Sequence, residues 1–294
     1  METKGIIVGV GEALWDLLPD GKQIGGAPAN FAFHASHMGF EGWAVSAVGA
    51  DSLGDEIITT LNSKGVKTLI QRTSQPTGTV QVTLSGEGIP HYEICQGVAW
   101  DNINYTPEVE ALAQKALCVV FGSLAQRNEP SRSTIHNFVE CIAQRSGTMR
   151  IFDINLRQKY YNREMIAESL RLCNILKIND EELVVFCSLF SMESGTLEER
   201  CRKIIEDYSL DMLILTCGDT ESYIFHQGGT SRIPTPKVEV ADTVGAGDSF
   251  TATFATSMLR GESVEKAHAL AVKVAAYVCT QKGAMPETQE AIID

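Results

Sequence analysis

The sequence predicts an α/β fold, with a mainly parallel sheet flanked by helices and a small β insert. Three observations predict it. Short apolar runs recur along the chain, and stretches of helical length separate most of them. One segment alone alternates β-branched and polar residues between turn signals.

The run GIIVGV (5–10) reads as a buried strand, and APANFAFHASHMG (27–39) as a helix stopped by Gly39. GWAVSAVG (42–49) is the next strand and 51–65 the next helix, with Asp51 as its cap. Further strands are expected at 116–122, 149–155, 173–179 and 211–218, because continuous apolar runs suit strands covered on both faces. The final helix, 263–280, carries Val264, Ala267, Ala271, Val274 and Val278 on one stripe. The exception runs from Lys67 to Asp101, with turn signals at Pro76-Thr77-Gly78 and Gly86-Glu87-Gly88. It reads as hairpin strands, forming a flap, a subunit contact or both. No repeat or linker is evident, so residues 1–294 are expected to form one domain with a β excursion.

Composition narrows the function. The formal net charge is −13, the wrong sign for a nucleic-acid or anionic-membrane partner. The N-terminal apolar run is too short for a signal-peptide core, and no stretch approaches membrane-spanning length. Eight scattered cysteines without a C-x-x-C pair argue against zinc and against a disulfide framework. A reduced, cytoplasmic protein is expected.

The string VEVADTVGAGDSFTATF (238–254) carries the chemistry. No G-x-x-x-x-G-K-[ST] occurs, and GVGEAL (9–14) and GAGDSF (245–250) lack the third glycine of the dinucleotide fingerprint. Phe250, Phe254 and Met258 lie four apart on one helical face, so Gly245 to Asp248 form the N-terminal approach of that helix. Free amides and the positive dipole end make an anion hole there. An aspartate in the same place repels a static anion. It makes sense as a base for a hydroxyl that attacks phosphorus. A helix cap with a glycine turn is the plainer reading of G-A-G-D alone.

The full string D-T-x-G-A-G-D-S-F resembles the second signature of the ribokinase-type (PfkB) carbohydrate kinases. The similarity extends over nearly the whole chain, with the best match among fructokinase-like members. It implies a ribokinase-like three-layer fold with a small β-sheet lid, formed by about 67–104 and a strand near 12–24. It implies Asp248 as catalytic base and the backbone of Gly245, Ala246 and Gly247 as the hole for the γ-phosphate. Asp242 either helps hold a monovalent cation such as K+ or orders the loop as an Asx-turn acceptor, and the two roles are compatible.

WDLLPDGKQIGGAPANFA (15–32) is similar to the first signature, which implies that Asp16, Gly25, Gly26 and Asn30 bind the sugar. A turn and a helix-surface asparagine are the structural alternative. FDINLRQKYY (152–161) sets Asp153, Asn155 and Arg157 at a strand end, Arg157 being the implied cation for substrate or transferred phosphate. Asn179 and Glu182 match the N-x-x-E element near the metal-bound phosphates, and equally a capping box. Thr216 and Gly218 match the T-x-G loop along the nucleotide phosphates, and Val272 stands where ribokinases proper often carry an asparagine. Lys237 faces phosphate or is simply solvated. Tyr92, Ile94 and Trp100 close over the sugar or pack against a second subunit, and His268 is a surface or flank residue.

The resemblance thus implies transfer from ATP, with Mg2+, to a hydroxymethyl group of a neutral sugar, fructose first, by a homodimer joined through its lid. Ribose, 2-keto-3-deoxygluconate or a nucleoside is the alternative acceptor. A non-catalytic sugar or nucleotide sensor on the same fold is the reading from outside the enzyme class.

Overall fold

The computed structural model describes residues 5–19, 21–84 and 90–287. The chain begins with β1 (Ile6–Val10), β2 (Leu14–Leu18), β3 (Gly21–Gly25), α1 (Ala27–His37), β4 (Glu41–Gly49) and α2 (Ser52–Ser63). Next come β5 (Lys67–Thr73), β6 (Thr79–Leu84), β7 (Pro90–Ile94), α3 (Pro107–Ala113), β8 (Cys118–Gly122) and α4 (Glu129–Ala143). Then follow β9 (Met149–Asp153), α5 (Arg163–Leu172), β10 (Ile175–Asn179), α6 (Asp180–Phe190) and α7 (Leu197–Tyr208). The last elements are β11 (Met212–Cys217), β12 (Glu221–His226), β13 (Gly229–Pro234), α8 (Ala246–Leu259) and α9 (Val264–Cys279).

Helical crossovers return the chain in one direction, so β5, β4, β1, β8, β9, β10 and β11 pair in parallel. With the hairpin β12–β13 they form one sheet of order β13-β12-β11-β10-β9-β8-β1-β4-β5. Strand β1 shows why helices cover both faces. Ile7 packs with Phe31, Phe250 and Phe254 on the side of α1, α8 and α9, whereas Val8 and Val10 join Phe121 and Phe138 on the side of α3 to α7. Three layers result. A second sheet, of order β3-β2-β6-β7, stands apart from the first. Among the described residues no helix is long and apolar enough to cross a membrane.

The strand order reverses at β1, which lies between β4 and β8. Crevices open at the carboxyl ends of strands flanking such a reversal. Glu12 follows β1 there, and Asp153 ends β9.

Several expectations are corrected. Residues 67–73 are not part of the β excursion but form β5, an edge strand parallel to β4, because α2 supplies a right-length crossover before it. The excursion contributes only β6 and β7 to the small sheet, and the single strand expected near 12–24 is the antiparallel pair β2–β3. Trp100 is 1% exposed within a short 3-10 turn, so it packs into the core rather than over a ligand or a partner. Ile94 is buried too. His268 is no surface residue: it is fully buried, held by the hydroxyls of Ser222 and Ser231 at 2.8 Å each. The hairpin β12–β13 was not foreseen, although Gly228-Gly229 between alternating residues signals it. Gly86-Glu87-Gly88 and the side chain of Tyr92 lie outside the described residues.

Candidate active site

Helix α8 is preceded by Gly245, its N-cap, whose φ of 80° lies in the left-handed region. A side chain there would also meet the Cα of Ala284 at 2.7 Å, so only glycine fits. No side chain caps the helix. The amide of Ala246 donates to the Thr243 carbonyl at 3.3 Å, which leaves the amides of Gly247 and Asp248 without a partner among the described residues. The helix itself is not amphipathic, since every residue from Ser249 to Ser257 is buried between its neighbours. Three of its hydroxyls, those of Ser249, Thr251 and Thr256, bond back to its own carbonyls, as Thr251 does to Gly247 at 2.9 Å.

Asp248 projects from this first turn. Asn30, on α1, donates from Nδ2 to its Oδ2 at 2.7 Å across 218 positions of sequence. Burial and then the charge of Asp153 push Asp248 up to about 6, against the hydrogen bond of Asn30 and the charges of Lys177 and Arg157. Asn30 is 4% exposed, and its Oδ1 has no partner. It is held by α1, whose N-cap is Gly26, where φ is 112° and a side chain would strike the Glu12 carbonyl. Asp16 lies against the neighbouring Gly25, within 2.6 Å of where a Cβ would stand. Burial pushes Asp16 up to about 6, and the charge of Arg157 opposes it.

Arg157 is exposed and lies within electrostatic reach of Glu12, Asp16 and Asp248. Its loop is unusual in holding two non-glycine residues at positive φ, Asn155 at 39° and Gln158 at 49°. Such backbone persists where surrounding structure over-determines it, which is common at sites of function.

Two members of the cluster escaped the sequence reading. Lys177 is 8% exposed and pairs with Asp153 at 3.2 Å, the two strands β9 and β10 setting them side by side. Its ammonium lies 3.2 Å from where a side chain on Gly247 would begin. Burial disfavours its charge, but Asp153, Glu182 and Asp248 outweigh burial and hold its pKa above the usual lysine value. A lone lysine inside the apolar run of 173–179 was the available signal. Glu12 is 3% exposed, and burial pushes it up to about 7 despite backbone hydrogen bonds and Arg157. An acid directly after a buried strand, at the reversal of strand order, was its signal.

On the other side, Asn179 and Glu182 form a complete capping box at the start of α6. Glu182 Oε1 also accepts from the Leu156 amide at 3.0 Å, tying the Arg157 loop to that helix. Thr216 lies directly beside Asn179 in the β10–β11 register, and Gly218 turns the chain just beyond. Thr216 and Gly218 thus neighbour the cluster through β10. Asp242 accepts from the amides of Val244 and Gly283, each at 3.0 Å, and so stitches the 242–248 loop to the segment after α9. Lys237 bonds to Asp219 at the surface, and Val272 is buried against the core.

Residues 20–291 match the pfkB family of carbohydrate kinases. An uncharacterized sugar kinase of Pyrococcus horikoshii is 29% identical over 95% of this chain and 92% of its own length. Its crystal structure covers 95% of this chain and 93% of that one, with a TM-score of 0.80. A fructokinase of Klebsiella pneumoniae is 29% identical over 94% of each chain. The structure of a Vibrio cholerae fructokinase bound to fructose, ADP and calcium shares the fold, with a TM-score of 0.83 over 99% of this chain and 98% of that one at 24% identity. The chain belongs to the pfkB family of carbohydrate kinases.

Proposed function

We propose that the protein is an ATP-dependent fructokinase in which Asp248 takes the proton from the attacking hydroxymethyl group. The observation that carries the reading is the bond from Asn30 to Asp248, which joins the two signature segments at the open end of α8. A sugar held there by Asp16, Asn30 and the backbone at Gly25 and Gly26 presents a hydroxyl to a carboxylate whose pKa is tuned towards neutrality. The amides of Gly247 and Asp248 and the dipole of α8 then stabilise charge on the transferring phosphoryl group. Lys177 adds a buried cation beside Gly247, and Arg157 an exposed one whose charge also reaches Asp248.

The nucleotide is proposed to lie along Asn179, Thr216 and Gly218, with its phosphates ending at Gly245, Ala246 and Gly247. Among the described residues no group of three or more acids, histidines or cysteines is arranged to hold a metal. The surplus of carboxylates around Lys177 fits instead a magnesium ion that keeps its waters and arrives with the nucleotide. Such an ion supplies charge neutralisation at the phosphates. The lone pairs of Asp242 left over by two amides are where a potassium ion would be held. The small sheet is proposed as the lid over the sugar and as the contact of a homodimer. The named fructokinases among the relatives support fructose as the acceptor.

A coupled assay of ADP release over fructose, ribose, 2-keto-3-deoxygluconate and nucleosides tests this. Fructose-dependent release with the highest kcat/KM is expected. A higher kcat/KM for another acceptor rejects fructose. Sugar binding without any sugar-dependent release would favour a sensor.

A further inference from the structure

We propose that the open cavity between the ends of α5, α6 and α7 is a second binding site, for a small phosphate-bearing anion. The cavity measures about 620 Å3, and its charged and aromatic lining is Arg163, Arg171, Lys203, Asp207, Phe190 and Tyr208. None of the residues gathered around Asp248 lines it. It lies at the far end of α6 from Asn179, roughly 16 Å away along an 11-residue helix.

The charge is the first observation. Three cations and one carboxylate line the cavity, in a chain with 24 basic and 37 acidic residues. Asp207 is already paired with Lys203 at 3.0 Å. Among the described residues no carboxylate lies within ion-pair distance of Arg163 or Arg171. Helix electrostatics accounts for Arg171, in the last turn of α5, where the dipole favours a cation. It does not account for Arg163, the first residue of the same helix, where the dipole has the opposite sign. An anion between them compensates both.

Geometry is the second. Arg163 lies 5.2 Å from the centroid of the Phe190 ring, and Phe186 stacks on that ring at 4.4 Å and 14°. Tyr208 meets Phe190 edge-on at 6.4 Å. A guanidinium laid on an aromatic face is pre-oriented and keeps its N–H edges for a forked pair of bonds. Tyr208 lines the cavity together with Arg163 and Arg171, and the charges of both arginines oppose the upward push of burial on its phenol. Three cations less one carboxylate leave two positive charges, which a phosphate monoester of about −2 at neutral pH matches.

Free phosphate and phosphate esters share this chemistry, and equilibrium dialysis of the full chain separates them. The probes are labelled inorganic phosphate, fructose 1-phosphate and fructose 6-phosphate, each with the wild type and with Arg163→Ala/Arg171→Ala. The wild type is expected to bind one equivalent that the double variant binds at least about tenfold more weakly. Phosphate binding as tight as either ester identifies free phosphate as the ligand, and tighter ester binding identifies an ester. Equal isotherms for both proteins with all three probes overturn the proposal. Both arginines are exposed, so the fold is expected to survive, as judged by circular dichroism. If the double variant does not fold, Arg171→Ala alone is read by the same criterion. Because the readout is binding to these arginines, it stands or falls apart from the fructokinase reading.

Discussion

At Asp248, a carboxyl and an amide from opposite ends of the chain meet at 2.7 Å, and burial has raised the acid to about 6. A base must be ionised to act, so kcat/KM is expected to rise with pH through about 6 and then level. Asp248→Asn is expected to lower kcat by about 10²–10⁴-fold, with sugar affinity by calorimetry nearly unchanged. Near-normal turnover in that variant would remove Asp248 from its role. Glu12 bears on stability. Its folded pKa of about 7 lies above the ordinary 4.5, so the stability it contributes is complete at acid pH and lost as pH rises through 7. Glu12→Gln carries no charge, and it is expected to raise the melting temperature at pH 8 but not at pH 5. An equal shift at both pH values rejects that account. Asp248, Asn30 and Asp16 were legible because each sits in a contiguous string. Lys177 and Glu12 were not, because their meaning depends on partners brought by other strands, Asp153 for one and the start of α1 for the other.

Helix α8 presents Asp248 from its first turn, and two glycines there stand in different surroundings. Gly245 is required by its backbone and by Ala284 behind it. Gly245→Ala is therefore expected to destabilise the protein by roughly 1–3 kcal/mol in urea unfolding, with loss of turnover as well. Gly247 faces only the end of the Lys177 side chain at 3.2 Å. Gly247→Ala is expected to unfold within about 1 kcal/mol of the wild type, near the ordinary cost of a surface change, while turnover falls because the amides are screened from phosphate. The sequence pattern of Phe250, Phe254 and Met258 located this helix but suggested one buried face, whereas it is buried all round. Its serines and threonines disguised that burial: Ser249, Thr251 and Thr256 bond back to carbonyls of the helix, and the hydroxyls of Thr253 and Ser257 are buried without a partner among the described residues. Strand β5 was misassigned for a related reason. Alternation of apolar and polar residues marks a half-covered strand whether it sits at the edge of a large sheet or in a small one.

Across the whole molecule, the three-layer order followed from the alternation of apolar runs and helical stretches, and the match over residues 20–291 agrees with it. The ties between layers were invisible in sequence, as they depend on register and loop path. Arg127 and Asp101 illustrate this. They form a forked pair at 2.7 and 2.8 Å with 5% and 0% side-chain exposure. Arg127 also donates to the Cys95 carbonyl and lies over the rings of Trp100 and Tyr160. The pair thus anchors the return from β7 to the main body. Arg127→Ala leaves a buried carboxylate unpaired, and urea unfolding is expected to show a loss of about 3–5 kcal/mol. A loss below about 1 kcal/mol would show that the anchor is dispensable.

The 218 positions between Asn30 and Asp248, and the backing of Gly245 by Ala284, have a consequence for biosynthesis. A ribosome delivers Asn30 early and Asp248 near the end, so a nascent chain carries one half of this cluster without the other for most of its synthesis. On this arrangement the bond from Asn30 to Asp248 closes only once most of the polypeptide has emerged, and a fragment cut short of residue 284 lacks the residue that backs Gly245.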